Sequence, residues 1–264
     1  MTPDRARDDF ASDTDVDSSR AAAGDSSRAA VTSAALAHDR LRRAVVRLEL
    51  PPGEAMSEQR LAARFGLSKA AVRAALARLR AERLVLSEPR RGHVVAPLTL
   101  RDVGDVYALR LLLEPPAAAA AAGRLDRSEL ARLRAGVAAD VDIADAASID
   151  RFLDGNRAVH VAIARATGNG RLAAIVERLL DDSERAIGVA LRAGAAGRGL
   201  RVRSEHEAVL DAIAADDGAA AERLMRAAIE RFRDELMRTL RSSPAVQDLP
   251  LSADSSKTEA ARIA

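Results

Sequence analysis

Several places in this chain carry side chains whose types and spacing permit specific chemistry. Asn156 and His160 stand at i, i+4 on one face of a helix, and His206 follows on a separate helical segment. Together they offer two imidazoles and an amide oxygen. That is either half of a divalent metal site or a set of hydrogen-bonding pocket residues without metal. Arg110 and Glu114 repeat the i, i+4 spacing. They read as a plain helix ion pair or as a guanidinium turned inward to meet a carboxylate ligand. Arg185, Arg192, Arg201 and Arg203 are further cationic candidates that spacing alone does not separate. In the N-terminal half, Ser68, Lys69, Ala70 and Arg73 open a helix directly after Gly66-Leu67. Ser68 and the helix N-terminus suit a phosphate oxygen, and Lys69 and Arg73 share one face from which both reach base edges or phosphates in a major groove. Small Ala70 and Ala71 let that helix sit close. Gln59 on the preceding helix, and Arg90, Arg91 and Gly92 in a later basic turn, complete a candidate DNA-contact set.

The elements that must hold these groups follow from periodicity. Leu36, Leu41, Val45 and Leu48 recur at helical spacing and predict a helix from about 32 to 50, stopped by Pro51-Pro52-Gly53. Glu54-Ala55-Met56 leads out as a short extended piece. Ser57 caps a helix through Leu61 to Phe65, Gly66 turns the chain, and Ser68 caps a second helix whose Val72, Leu76 and Leu79 share a face. Two β-prone runs follow, Leu84-Val85-Leu86 and His93-Val94-Val95, either side of a basic turn. Helix, helix, Gly turn, helix and hairpin is the order of a winged helix-turn-helix. Beyond Pro97 the pattern is helical throughout, with helices expected at about 100–123, 126–142, 147–168, 170–194, 200–215 and 218–241. The fold class is therefore mainly α: a winged helix-turn-helix with a small β-hairpin wing, then an antiparallel bundle of about six helices.

Composition narrows the function. The chain has no Cys, which removes disulfides, thiolate zinc sites and a catalytic thiol, and aromatic residues are only 2%. The longest apolar run, Pro115–Ala122, is far short of a membrane span, so a cytoplasmic protein is expected. Residues 32–97 hold 13 Arg and Lys against 6 Asp and Glu, whereas residues 102–241 hold 21 against 23. A basic block beside a near-neutral one suits a nucleic-acid-binding module joined to a second function. No nucleophile elbow or phosphate loop is present, and an enzyme is not expected.

Leu50-Pro51-Pro52-Gly53-Glu54, Leu61-Ala62, Phe65-Gly66-Leu67-Ser68-Lys69, Val72-Arg73-Ala74-Ala75-Leu76, Leu79 and Arg91-Gly92 resemble the N-terminal signature of the GntR family of bacterial regulators. Ala71, Ala74 and Arg83 depart from that signature's usual Pro, Glu and Gly, and Lys69 stands where Arg is commoner. Tyr107, Arg110, Glu114, Asn156, His160, Thr167-Gly168-Asn169, Glu205-His206 and Asp216 to Ala221 resemble the ligand-binding bundle, the FCD domain, of the FadR-type branch. The resemblance implies a dimer on an operator duplex, a small organic acid as effector, and a metal held by Asn156, His160, His206 and one more His. At that last position this chain has Ala228. No cofactor is therefore required, and zinc or nickel at Asn156, His160 and His206 would be weakly held.

The expected organisation is a disordered tail over 1–31, the DNA-binding domain over 32–98, an effector-binding and dimerisation domain over 99–241 and a second disordered tail over 242–264. The expected function is a sequence-specific regulator, a repressor whose operator affinity responds to a small molecule. The alternative is an effector-independent DNA-binding dimer with a vestigial sensor.

Overall fold

The computed structural model describes residues 33–137, 142, 145–192 and 202–242; the expected tails, apart from Ser242, and the side chains of Arg192, Arg201 and Arg203 lie outside them. Among these residues the chain is mainly helical, with one small sheet. The elements run α1 (33–46), β1 (Ala55–Met56), α2 (Glu58–Phe65), α3 (Lys69–Ala81), β2 (Val85–Glu88), β3 (Gly92–Val95), then α4 (Leu100–Ala121), α5 (Arg127–Val137), α6 (Ala146–Ala166), α7 (Gly170–Arg192), α8 (Val202–Ala214) and α9 (Gly218–Ser242). By their contacts the described residues group into two compact units, 33–42 with Met56–His93, and Arg43–Ala55 with those from Val94 onward.

In the first unit, α2 and α3 form the helix-turn-helix. Ser57 Oγ accepts from the Arg60 N–H at 3.2 Å and Ser68 Oγ from the Ala71 N–H at 3.1 Å, so each helix starts on a hydroxyl cap. Between them Gly66 takes φ +62°, a left-handed conformation open to glycine without strain, and its N–H closes α2 on the Ala62 carbonyl. Leu61, Phe65, Val72, Leu76 and Leu79 are buried. Each such side chain contributes roughly 1.5–3 kcal/mol of burial energy. His38 on α1 is buried as well, with its Nε2 2.7 Å from Glu82 Oε1 at the end of α3. The sheet has the order β1-β3-β2, and β2 and β3 form the wing.

Two details differ from the sequence expectation. The first helix ends at 46 instead of 50: Leu48 adopts φ +60° and the Leu50 N–H turns back to the Ala44 carbonyl at 3.0 Å. Burial of Leu48 and Leu50, both under 5% exposed, holds this turn in the second unit. Leu36, by contrast, is 63% exposed and lies off the buried stripe formed by Ala37, Leu41, Ala44 and Val45.

The second unit packs α4 to α9 around one apolar core that runs from Leu98 to Leu240 and includes Tyr107, Leu133, Leu153, Ile163, Ile187, Leu210, Ile213 and Ile229. The Thr99–Asp102 capping box starts α4. Pro115-Pro116 stands inside this helix, which continues to Ala121 as the expected span of about 100–123 requires. Pro115 has no N–H for the Leu111 carbonyl one turn back, and Arg226 Nη1 from α9 donates to that oxygen at 3.5 Å. Thr167-Gly168-Asn169 is a turn: Asn169 Oδ1 accepts from the Arg171 and Leu172 N–H groups and starts α7.

Candidate functional site

The first candidate site is the outer face of α3. Because Ala71, Val72, Ala75, Leu76 and Leu79 are buried, helical geometry leaves Ser68, Lys69, Ala70, Arg73 and Ala74 outward and exposed. Ala71 therefore belongs to the core, and Ala70 and Ala74 are the small residues on the outer face. The Ser68 oxygen caps the helix and leaves its O–H as a donor. Arg73 is 72% exposed, and its guanidinium fork is engaged by Glu58 on α2, with Nε–Oε1 at 3.0 Å and Nη2–Oε2 at 2.9 Å. That hydrogen bond lowers the Glu58 pKa and raises that of Arg73. Sequence spacing did not reveal this pair, because the two residues lie 15 apart on different helices. Gln59 is exposed on the same short helix as Glu58.

At the wing, Arg91 is half-exposed and its Nη1 donates to Glu88 at 2.8 Å. Gly92 takes φ +77°, and a Cβ there would stand 3.3 Å from the Met56 carbonyl oxygen, so a bare backbone is required where β1 passes β3. His93 follows, with its pKa pushed down by burial first and by the neighbouring Arg80 next. The sequence pattern marks it only as a β-prone position.

The second candidate site is a cavity of about 20 Å³ inside the helical unit, lined by Tyr107, Arg110, Asn156, His160, His206 and Ala228 among others. The structure thus gathers all four candidate effector residues from α4, α6 and α8. Arg110 and Glu114 are both buried. Arg110 Nε donates to Glu114 Oε1, its Nη1 to Ser183 Oγ at 2.9 Å, and its Nη2 lies 3.3 Å from His160 Nε2. The guanidinium carbon also sits 5.0 Å from the centre of the Tyr107 ring, and Ser183 donates onward to the Tyr107 oxygen at 2.9 Å. Glu114 Oε2 meets His160 Nδ1, and His160 Nε2 lies 3.3 Å from His206 Nε2. Of the further cationic candidates, Arg185 lies outside this cluster: its Nη2 donates to the Ala96 carbonyl and its Nη1 to Asp182.

Electrostatics follows from this wiring. Burial alone would raise the Glu114 pKa, but Arg110 and His160 outweigh it and hold it at about 2. His206 is pushed down to about 3 by burial, then by His160 and Arg110, so it is neutral at physiological pH. The expected Arg110–ligand contact thus has an internal competitor: the carboxylate on Arg110 is the protein's own Glu114.

The metal question has a structural answer in two parts. Two imidazole nitrogens 3.3 Å apart match the separation of two nitrogens at about 2.1 Å from a tetrahedral ion. The remaining donors do not complete a site. Ala228 presents a methyl group, Asn156 is neutral, and the Arg110 guanidinium stands against the same His160 nitrogen. Among the described residues there is no group of three His, Cys, Asp or Glu side chains able to hold a metal ion. The residues present do not fit a divalent metal.

A helix-turn-helix with a basic outer face and a wing, in a chain that also carries a helical unit with a polar cavity, defines the class of DNA-binding regulators. Comparison with known proteins gives the family. Residues 34–95 match the family model for bacterial regulatory proteins of the gntR family, and residues 105–231 match the FCD domain. An uncharacterised HTH-type transcriptional regulator from Streptomyces ambofaciens is 28% identical over 209 residues, which cover 78% of this chain and 85% of that protein. The gluconate operon transcriptional repressor of Bacillus licheniformis is 36% identical over 74 residues, 28% of this chain and 30% of that protein. Among solved structures, a GntR regulator from Rhodococcus sp. RHA1 has the same fold, with a TM-score of 0.65 at 21% identity over 78% of this chain and 98% of that one. The chain belongs to the GntR family of transcriptional regulators, in the group with an FCD domain, and this is a family of regulators and not of enzymes. No helix among the described residues is long and apolar enough to cross a membrane.

Proposed function

We propose that this protein is a dimeric, operator-specific repressor of the bacterial cytoplasm whose DNA affinity is set by a small molecule in the helical cavity. The observation that carries the reading is the division of α3 into a buried face and an exposed face bearing Ser68, Lys69, Ala70 and Arg73. Backbone positioning falls to Ser68, Lys69, Arg91 and Gly92, with Gln59 beside them, and base readout falls to Arg73. Two such helices in a dimer address half-sites about one helical turn apart on a near-palindromic duplex. An organic acid effector reaches Arg110 by taking the place of Glu114, beside Asn156, His160 and His206. It changes operator affinity to the extent that it binds one arrangement of the dimer better than the other. The test is selection of bound duplexes from a random pool with the purified protein, together with its mass in solution. Enrichment of an inverted repeat by a dimer is the expected result. A pool without any enriched motif, or a monomer that selects a single half-site, overturns the reading.

A second reading, a DNA-binding dimer that needs no effector, is favoured by one observation: the cavity of about 20 Å³ is the size of a water, and its cation is already paired with Glu114, so an acid enters only as Glu114 moves. Thermal-shift screening against small carboxylates separates the two, since a ligand that binds only the folded protein raises the melting temperature.

A further inference from the structure

We propose that Arg110 is the resident cation of the cavity and replaces a divalent metal there, so that this site recognises a carboxylate ligand through a guanidinium fork and not through a metal ion. The proposal rests on reading the cavity as the effector site, and it concerns what holds the ligand. Three observations carry it. Arg110 Nη2 stands against the His160 ring, 3.3 Å from Nε2 and 3.4 Å from Nδ1, while His206 Nε2 approaches the same Nε2 at 3.3 Å. Glu114, whose Oε2 meets His160 Nδ1, would orient a metal-bound imidazole by its hydrogen bond, yet its other oxygen is committed to Arg110 Nε. Ala228, on the cavity wall, removes the side chain that could supply a third nitrogen.

These features support one another. A buried guanidinium needs a carboxylate, and Glu114 supplies it, so the pair is neutral without any ion. A divalent ion on His160 and His206 meets no net charge from this neutral pair, and it gains the Glu114 carboxylate as a partner only if Glu114 leaves Arg110. Breaking that buried pair weakens metal binding by about a hundredfold or more, beyond the loss of one ligand. A carboxylate ligand leaves the guanidinium paired. It exchanges with Glu114 on the Arg110 fork, and the displaced Glu114 carboxylate keeps His160 Nδ1 as its partner.

The experiment is zinc and nickel binding by the full-length protein, measured as metal content after dialysis and by calorimetric titration, for the wild type, Ala228→His, and Arg110→Gln with Ala228→His. The expected result is no stoichiometric metal in the wild type or in Ala228→His. The double variant is expected to hold one ion per chain at least tenfold more tightly than Ala228→His, and about a hundredfold by the cost of breaking the buried pair. Should the double variant fail to fold, Arg110→Met with Ala228→His fills the same space, leaves Glu114 on His160 and makes the same prediction. Stoichiometric metal in the wild type overturns the proposal. So does Ala228→His binding within tenfold of the Arg110-lacking variants, or a folded variant without Arg110 that takes up no metal. Metal content is read without DNA, so a failure here is separate from a failure of operator binding.

Discussion

Replacing Glu114 by Gln removes a buried charge from between Arg110 and His160, and the structure gives the size of the effect. The carboxylate is 2% exposed and its pKa stands at about 2, against 4.5 for an ordinary Glu. The gap corresponds to about 3 kcal/mol of stability at neutral pH. An independent argument gives a similar figure, because removing one partner of a buried ion pair costs about 3–5 kcal/mol. For a chain of this size that lowers the melting temperature by about 6–12 °C. The sign with pH is fixed as well. The folded-state pKa lies below the unfolded value, so the contribution is fully present above about pH 4.5 and disappears as pH falls toward 2. The wild type and Glu114→Gln should therefore differ most at neutral pH and converge in acid. The assay is urea unfolding followed by the fluorescence of Tyr107, the single tyrosine of a chain without tryptophan, whose ring lies beside Arg110. A difference below about 1 kcal/mol at pH 7, or one that stays constant into acid, would refute the reasoning.

Other perturbations follow from the same structure. His206 is neutral when folded and titrates at about 3, below its unfolded value of 6.5, so the unfolded chain gains the proton first and stability falls as pH drops below 6.5. His206→Asn should flatten the acid limb of the stability curve by about 1.4 kcal/mol per pH unit between pH 6 and 5; an unchanged slope in urea titrations contradicts this. Gly155→Ala should destabilise the helical unit, although Ala is the better helix former, because its Cβ would overlap the Gly136 carbonyl where α5 and α6 touch. A raised melting temperature would show that the two helices separate at little cost. Glu58→Gln loosens the hold on the Arg73 fork and should tighten binding to the selected duplex several-fold, and more than to a scrambled one. Unchanged affinity and sequence preference in fluorescence anisotropy would mean that Glu58 does not compete with DNA.

Much of the fold was legible because its signals are local. Gly66 between two serine-capped helices, and Val72, Leu76 and Leu79 at helical spacing, fix the helix-turn-helix with no need of distant partners. The end of α1 was not legible, because Leu48 accepts a left-handed backbone only to bury its side chain near Gly188 on α7, a tertiary effect that outweighs local helical periodicity. The span of α4 was legible, but not the partner of its Leu111 carbonyl, which is met by Arg226 from a helix far along the chain. In the cavity, spacing identified Arg110 with Glu114 and Asn156 with His160, and the family resemblance added His206. Spacing gave no sign that Glu114 would hold Arg110 and face His160 at once, because that depends on how α4 packs against α6. Ser183 and Tyr107 complete the network from positions that carry no motif.

The central claim, that α3 reads DNA sequence through its exposed face, is tested most directly by anisotropy titration of a selected duplex and its scrambled counterpart with the wild type, Lys69→Ala and Arg73→Ala. The account predicts that Arg73→Ala loses about ten- to a hundredfold on the selected duplex and narrows the gap to the scrambled one. Lys69→Ala should weaken both duplexes and reduce the salt slope by about one contact. Wild-type affinity and unchanged sequence preference in both variants would contradict it.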